Sequence, residues 1–321
     1  MRPANSATPS IVRYVPLPEN MSANSRLTVG GLEERVEPHQ IYHSYELIDG
    51  EHLRVATTWP ANAYPVPLLI FNGVGASLDI VEPLMRSMTG FRVITFDLPG
   101  IGGSDTSWNI RRMSGFANLA ARLLDKLGVN NVFVMGVSWG GGLAQQFALD
   151  YQNRCEKLVL AATSTGHIMV PPSLRVMLHM ATPLRYLSAG YFKRIAGTIY
   201  GGDFRSDERL RDRYARLMSP PSLIGYLNQL YAVTGWTSAF RAHRIRQPVL
   251  IMAGEDDPIV TMPNARLLNA LIPDSRVKVF DCGHLFILTR LSACVAAVEE
   301  FLAVDHTKLH KKREDDGTVA Y

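Results

Sequence analysis

Three side chains have the types, and the places in the chain, that nucleophilic acyl transfer requires. Ser138 lies in Gly136-Val137-Ser138-Trp139-Gly140, Asp257 in Gly254-Glu255-Asp256-Asp257, and His284 directly after Gly283. A serine hydroxyl is a weak nucleophile until a neighbouring base takes its proton, and an imidazole serves as that base when an acid fixes its tautomer and stabilises the imidazolium. Ser138 is therefore the candidate nucleophile, His284 the base and Asp257 the acid. Asp256 is the rival acid; Asp257 is preferred because it stands three residues after Gly254 and precedes Pro258. The tetrahedral intermediate also needs preorganised donors for its oxyanion, each worth about 3 to 4 kcal/mol in the transition state. The backbone N–H of Trp139 supplies one, and that of Val74, in the loop after "LLIFNG", is the candidate for the other.

These residues must be held by strands and helices whose periods are readable. Val132 to Met135 form an apolar run suited to a buried strand, whereas Leu143, Phe147 and Leu149 recur at helical spacing, so Ser138 falls on a strand-to-helix turn. Further apolar runs, 66–73, 91–100, 156–163, 248–254 and 276–283, alternate with helical stretches. One of these, "SGFANLAARLLDKLG", puts Phe116, Leu119, Leu123 and Leu127 on one face, with Gly128 as its stop, and a closing helix is expected from about Leu291 to Leu302. Alternation of this kind predicts a mostly parallel central sheet with helices on both faces. Before it, two β-leaning runs joined by Asp49-Gly50 predict an antiparallel hairpin. Serine, acid and histidine in that order at strand ends match the α/β-hydrolase fold.

The domain plan follows from where the β signal fails. Residues 1–40, rich in Pro, Asn and Ser, read as a flexible arm; 41–164 and 247–303 form the core; 165–246, helical and broken by prolines and glycines, is an inserted cap; and 304–321 is a charged tail. Within the cap, Met177, Leu178, Met180, Tyr186, Leu187, Tyr226 and Tyr231 are expected mainly to pack internally, some of them roofing the site. Asp97 is expected to hold the turn after its strand, and Cys282 to be a small core residue.

Composition narrows the partners. The chain has 321 residues, of which 47% are hydrophobic and 19% charged, and its formal net charge is only +4, with no basic cluster of the kind nucleic acid requires. No stretch is long enough for an integral membrane span, and the start lacks a secretory h-region. Cys155, Cys282 and Cys294 form no paired motif and suit a reducing, cytoplasmic compartment. No metal or organic cofactor is required by the chemistry above.

"LLIFNGVGASL", "FDLPGIGGSD", "GVSWGGGLAQQFALDY", "LVLAAT", "TIYGGDFR", "GWTS", "AGEDDPIV" and "DCGHLFILTR" together resemble the intracellular medium-chain-length polyhydroxyalkanoate depolymerases, over about Tyr45 to Leu302. The resemblance implies the same three catalytic residues, an acyl-enzyme, and a polyester or oligomer of (R)-3-hydroxyalkanoates held in cytoplasmic storage granules as substrate and partner. The residues alone leave other readings open. A small-molecule carboxylesterase, lactonase or carbon–carbon bond hydrolase would use the same triad, and a non-catalytic ligand- or granule-binding homologue could keep the fold.

Overall fold

The computed structural model describes residues 40–304 and the backbone of 26–29 and 32–35. Within the expected N-terminal arm, β1 (Arg26–Val29) and β2 (Leu32–Arg35) pair as an antiparallel ribbon separate from the main sheet. The expected tail, apart from Val304, lies outside the described residues.

The main sheet begins with β3 (Ile41–Ile48) and β4 (Glu51–Thr58), joined by Asp49 and Gly50, both at positive φ. Two such residues in a two-residue loop match the right-handed twist of paired strands, and Ile48 pairs with Glu51 across the turn. The remaining strands are β5 (Tyr64–Phe71), β6 (Phe91–Phe96), β7 (Val132–Val137), β8 (Cys155–Ala161), β9 (Val249–Gly254) and β10 (Ser275–Phe280). Their order across the eight-stranded sheet is β10-β9-β8-β7-β5-β6-β4-β3. The six from β5 onward run parallel, while β4 is antiparallel to both its neighbours. Central strands such as β7 and β9 are buried along their whole length, as their unbroken apolar runs require. The edge strand β10 carries Arg276 and Lys278, which discourage further pairing.

The core helices are α1 (Glu82–Ser87), α2 (Met113–Lys126), α3 (Trp139–Asp150), α9 (Met262–Leu271), α10 (Phe286–Thr289) and α11 (Leu291–Ala303). Helix α2 shows how the sequence sets a boundary. Its Phe116, Leu119 and Leu123 face inward, and Gly128 at positive φ donates to Asp125 O while Val129 donates to Leu124 O, a glycine-dependent stop. Two apolar clusters, containing Phe116 and Phe147 in one and Phe133 and Phe301 in the other, fill the space around the sheet.

Between β8 and β9 the chain forms five helices: α4 (Leu174–Met180), α5 (Leu184–Leu187), α6 (Ala189–Tyr200), α7 (Glu208–Leu217) and α8 (Leu223–Val233). The two ends of this insertion meet at a neck where Gly166 and Thr237 bridge. There His167 N–H donates to Trp236 O (2.7 Å) and Ser238 N–H to Thr165 O (2.9 Å). An aromatic and aliphatic cluster around Phe192, Tyr200, Phe204 and Tyr214 packs the insertion onto Ile80, Ile259, Val260 and Leu285 of the loops below it.

Candidate active site

The order of the sheet decides where a ligand can enter. From β5 the chain moves to β6 on one side and then to β7 on the other, so the carboxyl ends of β5 and β7 flank a point where the connections diverge. Crevices at such points are where open parallel sheets bind ligands. The loop 72–77 follows β5 and Ser138 follows β7.

Ser138 has φ 56° and ψ −118°, a conformation that costs a non-glycine residue about 1 to 3 kcal/mol. It is held there by Ser138 N–H donating to Ala161 O (2.9 Å) and by the Thr163 hydroxyl donating to Ser138 O (2.7 Å). The turn is also sterically determined. A Cβ on Gly140 would collide with the carbonyl oxygens of Phe71 and Asn72, so only glycine lets α3 start this close to the end of β5.

Asp257 and His284 are brought together on the loops after β9 and β10. His284 Nδ1 lies 2.7 Å from Asp257 Oδ2, and both side chains are buried. Asp257 Oδ1 accepts from Ile259 N–H (2.8 Å) and Val260 N–H (2.9 Å), so the carboxylate is oriented by backbone before it orients the imidazole. His284 N–H donates to Tyr200 O (2.7 Å), and the Tyr200 ring stacks on the imidazole. The neighbouring Asp256 points elsewhere. It forms a two-pronged ion pair with Arg205 (2.7 and 2.8 Å) and accepts from Gly202 N–H, anchoring the cap instead of the histidine. Ser138 and His284 line the same pocket. No hydrogen bond joins them in this structure; such bonds are often long before substrate is bound.

The loop beside the serine is shaped by its own side chains. Asn72 Oδ1 accepts from Gly73 N–H and its amide donates to Ser77 O, while Gly75 N–H donates to Gln229 Oε1 (2.7 Å). A Cβ on Gly73 would lie 3.7 Å from Ser138 Cβ, so this backbone passes directly beside Ser138. No hydrogen bond among the described residues occupies the N–H of Val74 or of Trp139. Behind the loop, Asp97 accepts from Leu78 N–H (2.6 Å) and Gly103 N–H (2.9 Å), and burial pushes its carboxyl up to about 6. Asp97 is thus part of the scaffold under the loop.

The cap closes over these groups. The pocket beneath it is narrow, a cavity of about 40 Å³. Its walls include Val74, Ile80, Met180, Tyr186 and Leu285, and the Tyr186 hydroxyl donates to Val74 O (2.6 Å). Among the described residues no cluster of three or more His, Cys, Asp or Glu could hold a metal ion, and no helix is long and apolar enough to cross a membrane.

The family model described as alpha/beta hydrolase fold matches residues 66–291. The chain belongs to this family. It is 46% identical over 263 residues to a Poly(3-hydroxyalkanoate) depolymerase of Ectopseudomonas oleovorans, across 82% of this chain and 92% of that one. It is 29% identical to a 2-hydroxy-6-oxononadienedioate/2-hydroxy-6-oxononatrienedioate hydrolase of Comamonas testosteroni, over 64% of this chain and 73% of the relative. Among solved structures, the enol-lactonase from Burkholderia xenovorans LB400 superposes with a TM-score of 0.70 at 20% identity, covering 81% of this chain and 100% of that one, which speaks for the fold.

In this alpha/beta hydrolase the cap departs from the expectation of internal packing. Tyr226 is buried, and Met180 and Tyr186 line the pocket, but Met177, Leu178, Leu187 and Tyr231 are exposed. The reason is that α4 and α5 are single short helices lying on α6, so only one face of each, including Val176 and Arg185, meets protein. Residue reading also passed over Gln229, Tyr200 and Arg185. Gln229 receives the loop through Gly75 and, through its carbonyl, the Trp139 indole N–H (2.9 Å). No local motif marks such a residue, because its partners lie some ninety positions or more away in the chain. Cys155, Cys282 and Cys294 are all buried free thiols, and burial raises Cys155 and Cys294 well above the ordinary thiol value.

Proposed function

We propose that this hydrolase is a serine-dependent depolymerase that cleaves the ester bonds of medium-chain-length poly(3-hydroxyalkanoates) or their oligomers. The observation that carries the substrate class is the 46% identity to a Poly(3-hydroxyalkanoate) depolymerase over 92% of its length. The chemistry is supported by the site itself. Ser138 Oγ attacks the ester carbonyl carbon as His284 Nε2 takes its proton. Asp257, fixed by two backbone donors, holds the other ring nitrogen and stabilises the imidazolium. The oxyanion is received by the N–H groups of Val74 and Trp139, and the bond to the alkoxy oxygen breaks as the imidazolium returns its proton to that oxygen. Water, deprotonated by His284, then attacks the acyl-enzyme and releases the hydroxyacid and the free Ser138.

The granule is the natural partner on this reading, in the cytoplasm. Leu174, Leu178, Leu187, Leu223 and Leu227 expose apolar side chains on α4, α5 and α8, suited to contact with a hydrophobic polymer. Because the pocket is narrow as it stands, the cap must move to admit a chain carrying alkyl branches. Labelling with a fluorophosphonate tests the chemistry. Modification mapped to the peptide holding Ser138, and lost in Ser138→Ala, is expected; a folded protein that takes no label there would overturn the catalytic assignment.

A further inference from the structure

Arg185, on α5, is 1% exposed and lines the same pocket as Ser138 and His284. A guanidinium stays charged under any physiological condition, and a buried charge is costly unless it meets an opposite one. Arg185 forms no ion pair with any described residue. Its Nη1 donates to the carbonyls of Met180 and Thr182 (both 3.4 Å) and to the Tyr226 hydroxyl (3.0 Å). The rings of Tyr186 and Tyr226 lie 4.6 and 5.6 Å from its Cζ, and the Tyr200 phenol is a further, neutral hydrogen-bonding neighbour. Burial pushes Tyr200, Tyr214 and Tyr226 up, so these phenols are neutral and provide no counterion.

The other edge of the guanidinium has no acid to meet. Nε is buried without an acceptor, and the bonds to Met180, Thr182 and Tyr226 all leave from Nη1. The N–H groups of Nε and Nη2 point the same way and form the fork that receives both oxygens of a carboxylate. The tie from α5 to α8 uses the Nη1 half of the side chain and the two tyrosine rings stabilise the cation in part, but neither supplies an anion, and Nε is left without an acceptor. Ile80, Met180, Leu285 and Ile287 make the nearby wall apolar, which suits an acid that carries an alkyl chain.

We propose that Arg185 binds the free carboxylate of an aliphatic acid in the catalytic pocket, and that in catalysis this is the acid end of the chain being cut. The proposal rests on the ester-hydrolase reading above. In an acid-ended polyester of 3-hydroxy acids only a two-carbon spacer separates the terminal carboxylate from the last ester oxygen. A chain held by its acid end therefore presents that ester, whose alkoxide leaves as the terminal hydroxyacid after protonation by His284. Acid-ended oligomers are cut ahead of end-capped ones, and free acids compete for the same fork.

The test compares kcat/KM for the linear dimer of 3-hydroxyoctanoate as the free acid and as its methyl ester. Wild type is expected to favour the acid by about 10- to 100-fold, the range of a charge-assisted hydrogen-bonded pair. Arg185→Gln should bring the ratio to near one, and Arg185→Lys should restore part of it. Equal rates in wild type, or a wild-type ratio in a folded Arg185→Gln, would overturn the proposal. If Arg185→Gln does not fold, the wild-type ratio and Arg185→Lys still decide. A second arm uses a soluble p-nitrophenyl ester as substrate and octanoate or methyl octanoate as inhibitor. Stronger inhibition by octanoate, lost in Arg185→Gln and reduced in Arg185→Lys, supports the fork even if neither dimer is cleaved, an outcome that would count against the polyester reading alone. Equal inhibition by the two would refute it.

Discussion

Replacing Asp257 by asparagine separates the two adjacent acids and measures what orientation of the imidazole is worth. The substitution keeps shape and volume. In Asp257→Asn the side-chain carbonyl oxygen can still accept from Ile259 and Val260 N–H, so the amide nitrogen takes the place of the oxygen 2.7 Å from His284 Nδ1. An amide there donates, which forces Nδ1 to accept and places the ring proton on Nε2, the atom that must take the proton of Ser138. The imidazolium also loses its counterion in a site from which water is excluded. In serine hydrolases of other folds this wrong-tautomer change costs about 10⁴ in kcat, or about 5 kcal/mol. Hydrolysis of a p-nitrophenyl ester at pH 7 to 8 should fall by that order, with the thermal transition little moved. Asp256→Asn is the control. Its ion pair with Arg205 is about half exposed (52% and 50%), a setting in which such pairs contribute about 0 to 1 kcal/mol, so kcat should stay within a few-fold of wild type. A loss below tenfold in Asp257→Asn, or a larger loss in Asp256→Asn, would refute the assignment of the acid.

Gly140→Ala should destabilise by about 1 to 3 kcal/mol or more, because its Cβ meets two carbonyl oxygens that cannot move freely, whereas Gly190→Ala, with open space around it in α6, should be neutral or stabilise by up to about 1 kcal/mol. Paired thermal melts check both, and equal melting temperatures would contradict the packing argument. Asp97 gives a pH signature. Its carboxyl is raised in the folded state to about 6, above its unfolded value, so this group favours folding most when protonated and its contribution falls as pH rises from about 4 to about 6. The stability of wild type relative to Asp97→Asn should therefore decline by about 3 kcal/mol across that window, measured by denaturant unfolding, and a difference independent of pH would refute it.

The sheet was readable because β7 and β9 are buried along their whole length and so read as uninterrupted apolar runs, as does β8 from Leu158 onward. The expected run 91–100 ends four residues early, at Phe96, since Asp97 turns its side chain under the loop and takes Leu98-Pro99-Gly100 out of the sheet. The Asp49-Gly50 hairpin and the stop at Gly128 were legible for a local reason, positive φ. The choice between Asp256 and Asp257 was less so, because neighbours in sequence differ only in the direction the backbone gives them, and here the one faces Arg205 and the other His284. Exposure of the cap leucines was not legible at all. An apolar residue at helical spacing reads as buried whether it meets protein or another surface. Arg185 was hidden by the opposite assumption, that an arginine in a cap helix lies in solvent.

The central claim, Ser138-dependent cleavage of a storage polyester, is tested most directly by hydroxyacid release from amorphous medium-chain-length polyhydroxyalkanoate granules, with wild type beside Ser138→Ala and with polyhydroxybutyrate and a p-nitrophenyl ester in parallel. Release from the medium-chain granules by wild type, abolished in a folded Ser138→Ala, is expected. Release that persists without the Ser138 hydroxyl would contradict the mechanism, and activity confined to the soluble ester would contradict the substrate.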